Sequence, residues 1–318
     1  MTEHSSAIAP GAVPVSLVRT GLLWGLLGVL AFSFTVIFTR VAVETLSPLF
    51  VGSGRAVVAA ALASVALVVT RQRLPRRAQW GRLAIVAAGV VAGFPLLTSF
   101  ALQTAPASHG AVVIALLPAG TAVLAVVRAK ERPRRAFWVA AGAGAVAAVA
   151  FGSMQDGGFG ALYWSDLLLF AAVLAAAVGY AEGGLLAREL GAWQTVSWAL
   201  VVAAPVMLGL TVLSIAIEPP RGSVGGWAAF GYLAVVSMFL GFFAWYRGLA
   251  IGPMTQVSQV QLAQPVLSIA WAALLLGEDV TWATIAGGAA VVLCAGLAVR
   301  TRLRGPAEAG AGPSSRPR

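Results

Sequence analysis

The side chains with chemistry to offer are few, and most lie deep inside apolar runs. Arg55 follows Pro48 by seven residues, about 10 Å of helix rise, within such a run. A guanidinium there would anchor a carboxylate or a closing contact. The alternative is that it snorkels to the nearer interface and bonds helix-end carbonyls. Gln256, Gln259, Gln261, Gln264 and Ser268 crowd a second apolar segment. Of these, Gln261, Gln264 and Ser268 recur at i, i+3 and i+7, one face of a helix, with Gln256 and Gln259 as a neighbouring patch. Amides away from water need partners, so this face either lines a wet cavity and holds a polar solute or hydrogen-bonds helices together.

Two side chains could handle a proton. Glu182 lies 16 residues after Asp166, and burial would raise its affinity for a proton; the alternative is an interfacial carboxylate beside Arg188. His109 stands at a helix start, where histidine can titrate near neutral pH or merely be wetted or capped. Tyr180 and Trp271 are the aromatics best placed to shape a cavity, although Trp and Tyr are also usual at membrane interfaces. Pro118 and Pro265 each remove a backbone hydrogen bond and predict a hinge or a fixed bend. One cysteine, Cys294, and two histidines leave no metal cluster, and no cofactor is expected.

The elements that position these residues follow from composition. In 318 residues, 59% are hydrophobic and 10% charged, with a mean hydropathy of +0.90; a soluble domain carries about 25% charged residues. Lipid must therefore be the solvent for most of the chain. Apolar runs of about 20 residues, the length that crosses a bilayer, fall at 20–38, 48–70, 83–102, 108–127, 136–151, 166–186, 194–217, 227–246, 254–276 and 281–299. This predicts an all-α polytopic membrane protein of ten helices. With an even number of spans both termini share a side. If that side is cytoplasmic, every lysine and arginine except Arg40, Arg55 and Arg221 lies there, as the positive-inside rule requires for a cell (inner) membrane protein. The net charge of +10 is thus a topology signal, and no nucleic-acid partner is expected.

A shift of 147 residues superposes Leu102 on Leu249, Pro106 on Pro253, Val113 on Val260, Pro118 on Pro265 and Glu131 on Glu278 without a gap. Five helices repeated once end upside down, so the halves form an inverted repeat, the architecture through which many transporters alternate access around a central site. The predicted divisions are a cytoplasmic tail at 1–19, a first repeat at 20–151, an extracytoplasmic linker at 152–165, a second repeat at 166–300 and a disordered basic tail at 301–318. Glu131 and Glu278 precede the last helix of each half and read as dipole-complementing caps. Gly21 and Gly25, with the small-residue fifth and tenth helices, permit close packing and also fit a homodimer face.

The two-by-five organisation, Pro48 with Arg55, Pro118 and Glu131 with their copies Pro265 and Glu278, the linker from Gly152 to Asp166 leading to Tyr180-Ala181 and Ala187-Arg188, and the Gly-rich fifth and tenth helices resemble the drug/metabolite transporter superfamily, in its ten-helix branch with two EamA domains. The resemblance spans nearly all of the membrane part. It implies a secondary transporter of small metabolites, often an exporter of amino acids or similar compounds, with coupling to protons or another ion as one route to energy. No Gly-x-x-x-x-Gly-Lys-Ser/Thr sequence supports direct use of ATP, and neither Gly-x-Ser-x-Gly nor His-Glu-x-x-His supports the alternative of an intramembrane enzyme. A membrane scaffold, the other alternative, would lack an extended soluble domain.

Overall fold

The computed structural model describes residues 15–129, 135–152, 163–251 and 260–303. All of the regular structure among them is helical. Eight helices are long and apolar enough to cross a membrane: α1 (Arg19–Val43), α2 (Pro48–Val69), α3 (Arg77–Ala101), α4 (Ala107–Arg128), α6 (Trp164–Leu190), α7 (Ala192–Ile217), α8 (Val224–Trp245) and α10 (Trp282–Arg300). Two shorter apolar helices, α5 (Arg135–Phe151) and α9 (Val260–Leu276), complete the ten. Large apolar side chains such as Leu23, Val65, Val139, Ile217, Leu274 and Leu293 stand exposed around the bundle, as lipid-facing positions do.

The helices run further than hydropathy alone indicates. α3 begins at Arg77 rather than near residue 83, and the last helix continues to Leu303. Backbone hydrogen bonding carries a helix through charged residues at the interface, where their side chains reach water. Local chemistry fixes other ends. Ser47 caps α2 by accepting from Phe50 N, with Pro48 in the first turn, and Gly277, at φ +64°, closes α9 in the left-handed conformation.

The packing is two-fold. α2 lies on α7 and α5 on α10, while α1 packs on α8 and α6 on α3. The third helix of each half thus leans on the first helix of the other. Gly21 and Gly25 serve this contact: a Cβ at Gly248 would lie 2.6 Å from Gly25 N and 2.8 Å from Gly21 O. The close-packing face expected there is occupied from within the same chain.

Besides α1, which is kinked by a one-residue break at Phe34, four described helices are interrupted, in matched pairs. π-helical turns occupy Ala87–Gly93 in α3 and Tyr232–Leu240 in α8. A glycine stands at the far end of each. A Cβ on Gly93 would sit 2.8 Å from Ala88 O, and one on Gly241 would sit 3.0 Å from Val236 O, so the carbonyl five residues back fills the space a side chain would need. α4 breaks between Ala107–Ile114 and Leu117–Ala129, beside Pro118, and α9 passes from a 3-10 turn at Val260–Leu262 to α-helix at Ala263–Leu276, beside Pro265. A proline two or three positions into a helical segment lacks the N–H that would join it to the preceding turn.

Candidate functional site

These interruptions surround the centre of the bundle. Between them lies a narrow cavity of about 50 Å³ lined by residues that include Phe32, Thr35, Arg55, Tyr180, Ser237 and Gln264. A smaller cavity of about 10 Å³ adjoins it, lined by Ile114, Leu117, Pro118, Gln261, Gln264, Pro265 and Ser268 among others. One water needs about 10–15 Å³ on this scale, so the larger cavity has room for a few waters and the smaller for about one. Both are lined by residues related through the 147-residue shift: Val90 and Ser237, Pro95 and Phe242, Ile114 and Gln261, Leu117 and Gln264, Pro118 and Pro265. The pseudo-two-fold axis therefore passes through this space, and in three of these pairs the second half supplies the polar member, Ser237, Gln261 or Gln264, opposite an apolar residue of the first.

Gln261, Gln264 and Ser268 share a face, as their spacing predicts, and all three line the smaller cavity. Ser268 Oγ donates to Ser33 O at 2.7 Å, which ties α9 to the kink of α1, whereas neither glutamine amide has a hydrogen-bond partner among the described residues. Gln256 and Gln259 lie outside the described residues. Tyr180 lines the larger cavity, with its ring centroid 6.4 Å from that of Phe242. Trp271 is not among the residues lining either cavity; its indole N–H donates to Ser33 Oγ at 3.0 Å and its ring stacks on Phe34 at 4.8 Å.

Arg55 does not snorkel. It is 2% exposed and lines the larger cavity. Its Nη1 and Nη2 donate to Thr39 Oγ1 and Thr98 Oγ1, each at a long 3.4 Å, and its Nε has no partner. The two threonine hydroxyls donate onward to Thr35 O and Phe94 O, so only their lone pairs face the guanidinium. No carboxylate pairs with Arg55 among the described residues. An arginine near a helix centre costs about 2.5–3.5 kcal/mol on translocon scales, and two long bonds to neutral oxygens offset little of that.

Charged groups tie the two halves together at both ends. At the arginine-rich end, Glu182 is buried and held by Arg82 and by Arg128 at 2.8 Å; Arg82 also pairs with Glu189. Glu182 thus sits between arginines of α3 and α4 rather than beside Arg188. At the opposite end, the Glu278 carboxylate accepts from Ala107 N at 2.7 Å and Ser108 N at 2.8 Å. It caps α4 of the other half, not the helix that follows it, and it shows that the end of α9 lies beside the start of α4, as inverted halves require. Its copy, Glu131, lies outside the described residues. Arg40 donates to Leu102 O and Gln103 O at the end of α3.

His109 is buried at this same end. Its Nε2 meets Asp166 Oδ1 at 2.6 Å and its ring stacks on Phe151 at 4.9 Å, while Asp166 Oδ2 accepts from Tyr163 N at 2.9 Å. Asp166 escaped the sequence reading as a site residue because an acid at a helix start reads as a cap. The clue was that His109 and Asp166 both open helices on the same side.

A duplicated all-helical bundle of this kind, with broken helices meeting at a central cavity, is a membrane transporter fold. The EamA-like transporter family matches at residues 19–152 and 163–300, and the chain belongs to that family. It is 41% identical over 280 residues, 88% of this chain and 97% of the relative, to "Uncharacterized transporter YdeK" of Bacillus subtilis (strain 168). An "Uncharacterized transporter" of Archaeoglobus fulgidus is 26% identical over 291 residues, covering 91% and 99%. A crystal structure superposes with a TM-score of 0.61 at 20% identity, over 90% of this chain and 98% of that one, a likeness of fold. The protein is a multi-pass membrane transporter, not an enzyme, and it works on a small-molecule substrate in a lipid bilayer.

Proposed function

We propose that the protein is a secondary transporter that exports small metabolites, amino acids or related polar or amphipathic compounds, by alternating access around the paired cavities. It would sit in the cell (inner) membrane with both termini cytoplasmic, the orientation the arginine distribution favours. The observation that carries this reading is that equivalent positions of the two halves line one space, beside helices broken at equivalent prolines. Such a site can be reached from either face when the halves exchange conformations. All four matched interruptions carry residues that line a cavity, Val90, Ser237, Pro118 and Pro265 among them, so movement at these breaks would reshape the space around a solute. A homodimer is not needed for this cycle, since both halves come from one chain.

For coupling, His109 with Asp166 is the better-placed proton site, because Glu182 is committed to Arg82 and Arg128. At this end Glu278 accepts from Ser108 N, next to His109 in the chain, Arg40 bonds Leu102 O and Gln103 O, and Phe151 of α5 stacks on the imidazole.

The test is flux in proteoliposomes. Labelled aromatic amino acids and the corresponding keto acids serve as probes, with Gln261→Leu and Gln264→Leu as variants. Gln264 lines both cavities, so its variant is expected to lower initial flux about tenfold, the effect of removing one hydrogen bond worth about 1–1.5 kcal/mol, with a smaller loss for Gln261. Unchanged flux in both at matched protein levels removes the polar wall from the mechanism. Labelling of cysteines placed at 133 and 280 should come from opposite sides of the membrane, and labelling from one side overturns the inverted arrangement.

A further inference from the structure

Resting on the transport reading above and narrowing its substrates from amino acids to their related compounds without an amino group, the geometry points to Arg55 as the anchor for the anionic group of the substrate, and to a substrate with a net negative head, an apolar or aromatic body and no free ammonium. The guanidinium is a cation buried to 2% exposure whose Nε lacks any partner and whose other contacts are two neutral hydroxyls at 3.4 Å. Arginine does not lose its charge in proteins. A charge held in this way attracts a counter-charge strongly, and Arg55 lines the larger cavity, where an anion could reach it.

The rest of that cavity sets the other two parts of the class. Thr35 and Ser237 hydrogen-bond each other at 2.8 Å across the halves and, with Gln264, supply neutral polar groups close to the cation. Phe32, Phe94, Met238 and Phe242 belong to the mostly apolar remainder of the wall, suited to an apolar body. No carboxylate is among the described residues that line either cavity. The nearest acid along α6, Glu182, already neutralises two arginines. An ammonium group would therefore lose its hydration with nothing to replace it, and a zwitterion would be half satisfied. Bidentate pairing with a planar carboxylate is the geometry a guanidinium provides best.

The experiment uses probes that share a phenylethyl body and differ in charge: 3-phenylpropionate and 2-phenylethanesulfonate as anions, phenylalanine as zwitterion, phenethylamine as cation. Thermal shift of the detergent-solubilised full chain reads binding, and 2-phenylethanesulfonate, whose fixed charge prevents passive leak, serves for uptake into proteoliposomes. The anions should raise the melting temperature of the wild-type protein at least tenfold more potently than phenylalanine or phenethylamine, and Arg55→Gln should lose that preference. Thr98→Val, which removes a hydroxyl partner and leaves the cation, should keep or strengthen it. The wild-type comparison alone decides the matter if Arg55→Gln does not fold. Stabilisation by the zwitterion or the amine in preference to the anions overturns the inference, as does no stabilisation by either anion or undiminished anion binding in a folded Arg55→Gln protein. Anion binding without uptake leaves the anchor standing and removes the transport reading; uptake of phenylalanine or phenethylamine with the anions excluded does the reverse.

Discussion

Glu278 and Ser108 stand 170 residues apart in the chain, and a carboxylate oxygen of the first accepts the backbone N–H of the second at 2.8 Å. One side chain from the second half thereby closes the start of a helix in the first. Helix starts have free N–H groups and a positive end of the dipole, so a carboxylate is well suited there.

Replacing Glu278 by alanine should cost about 0.5–2 kcal/mol, the range for loss of a helix cap, read as a lower melting temperature in detergent. Glutamine, which keeps one acceptor oxygen, should recover part of it. If the proposed alternation parts this contact, a disulfide between cysteines at 108 and 278 should arrest flux and release it on reduction. Flux that persists with the bond formed places the moving interface elsewhere.

Gly93 and Gly241 end the two π-helical turns against a carbonyl five residues back. Alanine at either should destabilise by about 1–3 kcal/mol, the usual effect of overpacking. Gly142, whose added Cβ would meet nothing within 4 Å, serves as the control; alanine there should be neutral or stabilising by up to about 1 kcal/mol. Equal melting temperatures for G93A and G142A would contradict the crowding.

Glu182→Gln leaves Arg82 and Arg128 facing one another without their shared anion. Removing one partner of a fully buried pair costs about 3–5 kcal/mol; here Arg128 is 57% exposed and screened by water, so about 1–2 kcal/mol is expected. Flux should keep its response to an imposed pH gradient in this variant.

The opposite result is expected for His109→Gln and Asp166→Asn. On the proposed coupling, either change removes the response to the gradient while downhill counterflow continues. A retained response in both variants, measured at matched protein levels, rules this pair out as the proton site.

Much of the architecture was legible because lipid imposes simple rules. Run length and arginine placement indicate ten spans, and the 147-residue shift aligns the two prolines that the structure places at matched helix breaks. The i, i+3, i+7 spacing put Gln261, Gln264 and Ser268 on one face, and they share one cavity. What stayed hidden depends on neighbours distant in sequence. Nothing near Glu278 indicates that its partner is Ser108, and nothing near Glu182 indicates that Arg82 and Arg128 converge on it. The π-helical turns were hidden for another reason: their apolar sequences suit an α-helix equally well, and only the packing around Gly93 and Gly241 reveals the widened turn. For Arg55 the residue type raised the right question, and burial decided against the interface.

The cavity pairs Leu117 with Gln264, Ile114 with Gln261 and Val90 with Ser237: positions alike, chemistry unlike. A perfectly duplicated machine would be indifferent to which way it opened. On the proposed alternating cycle this chain should lack that indifference: with nothing bound it is expected to rest unequally between its two open forms, an intrinsic bias set by the unlike side chains at equivalent positions.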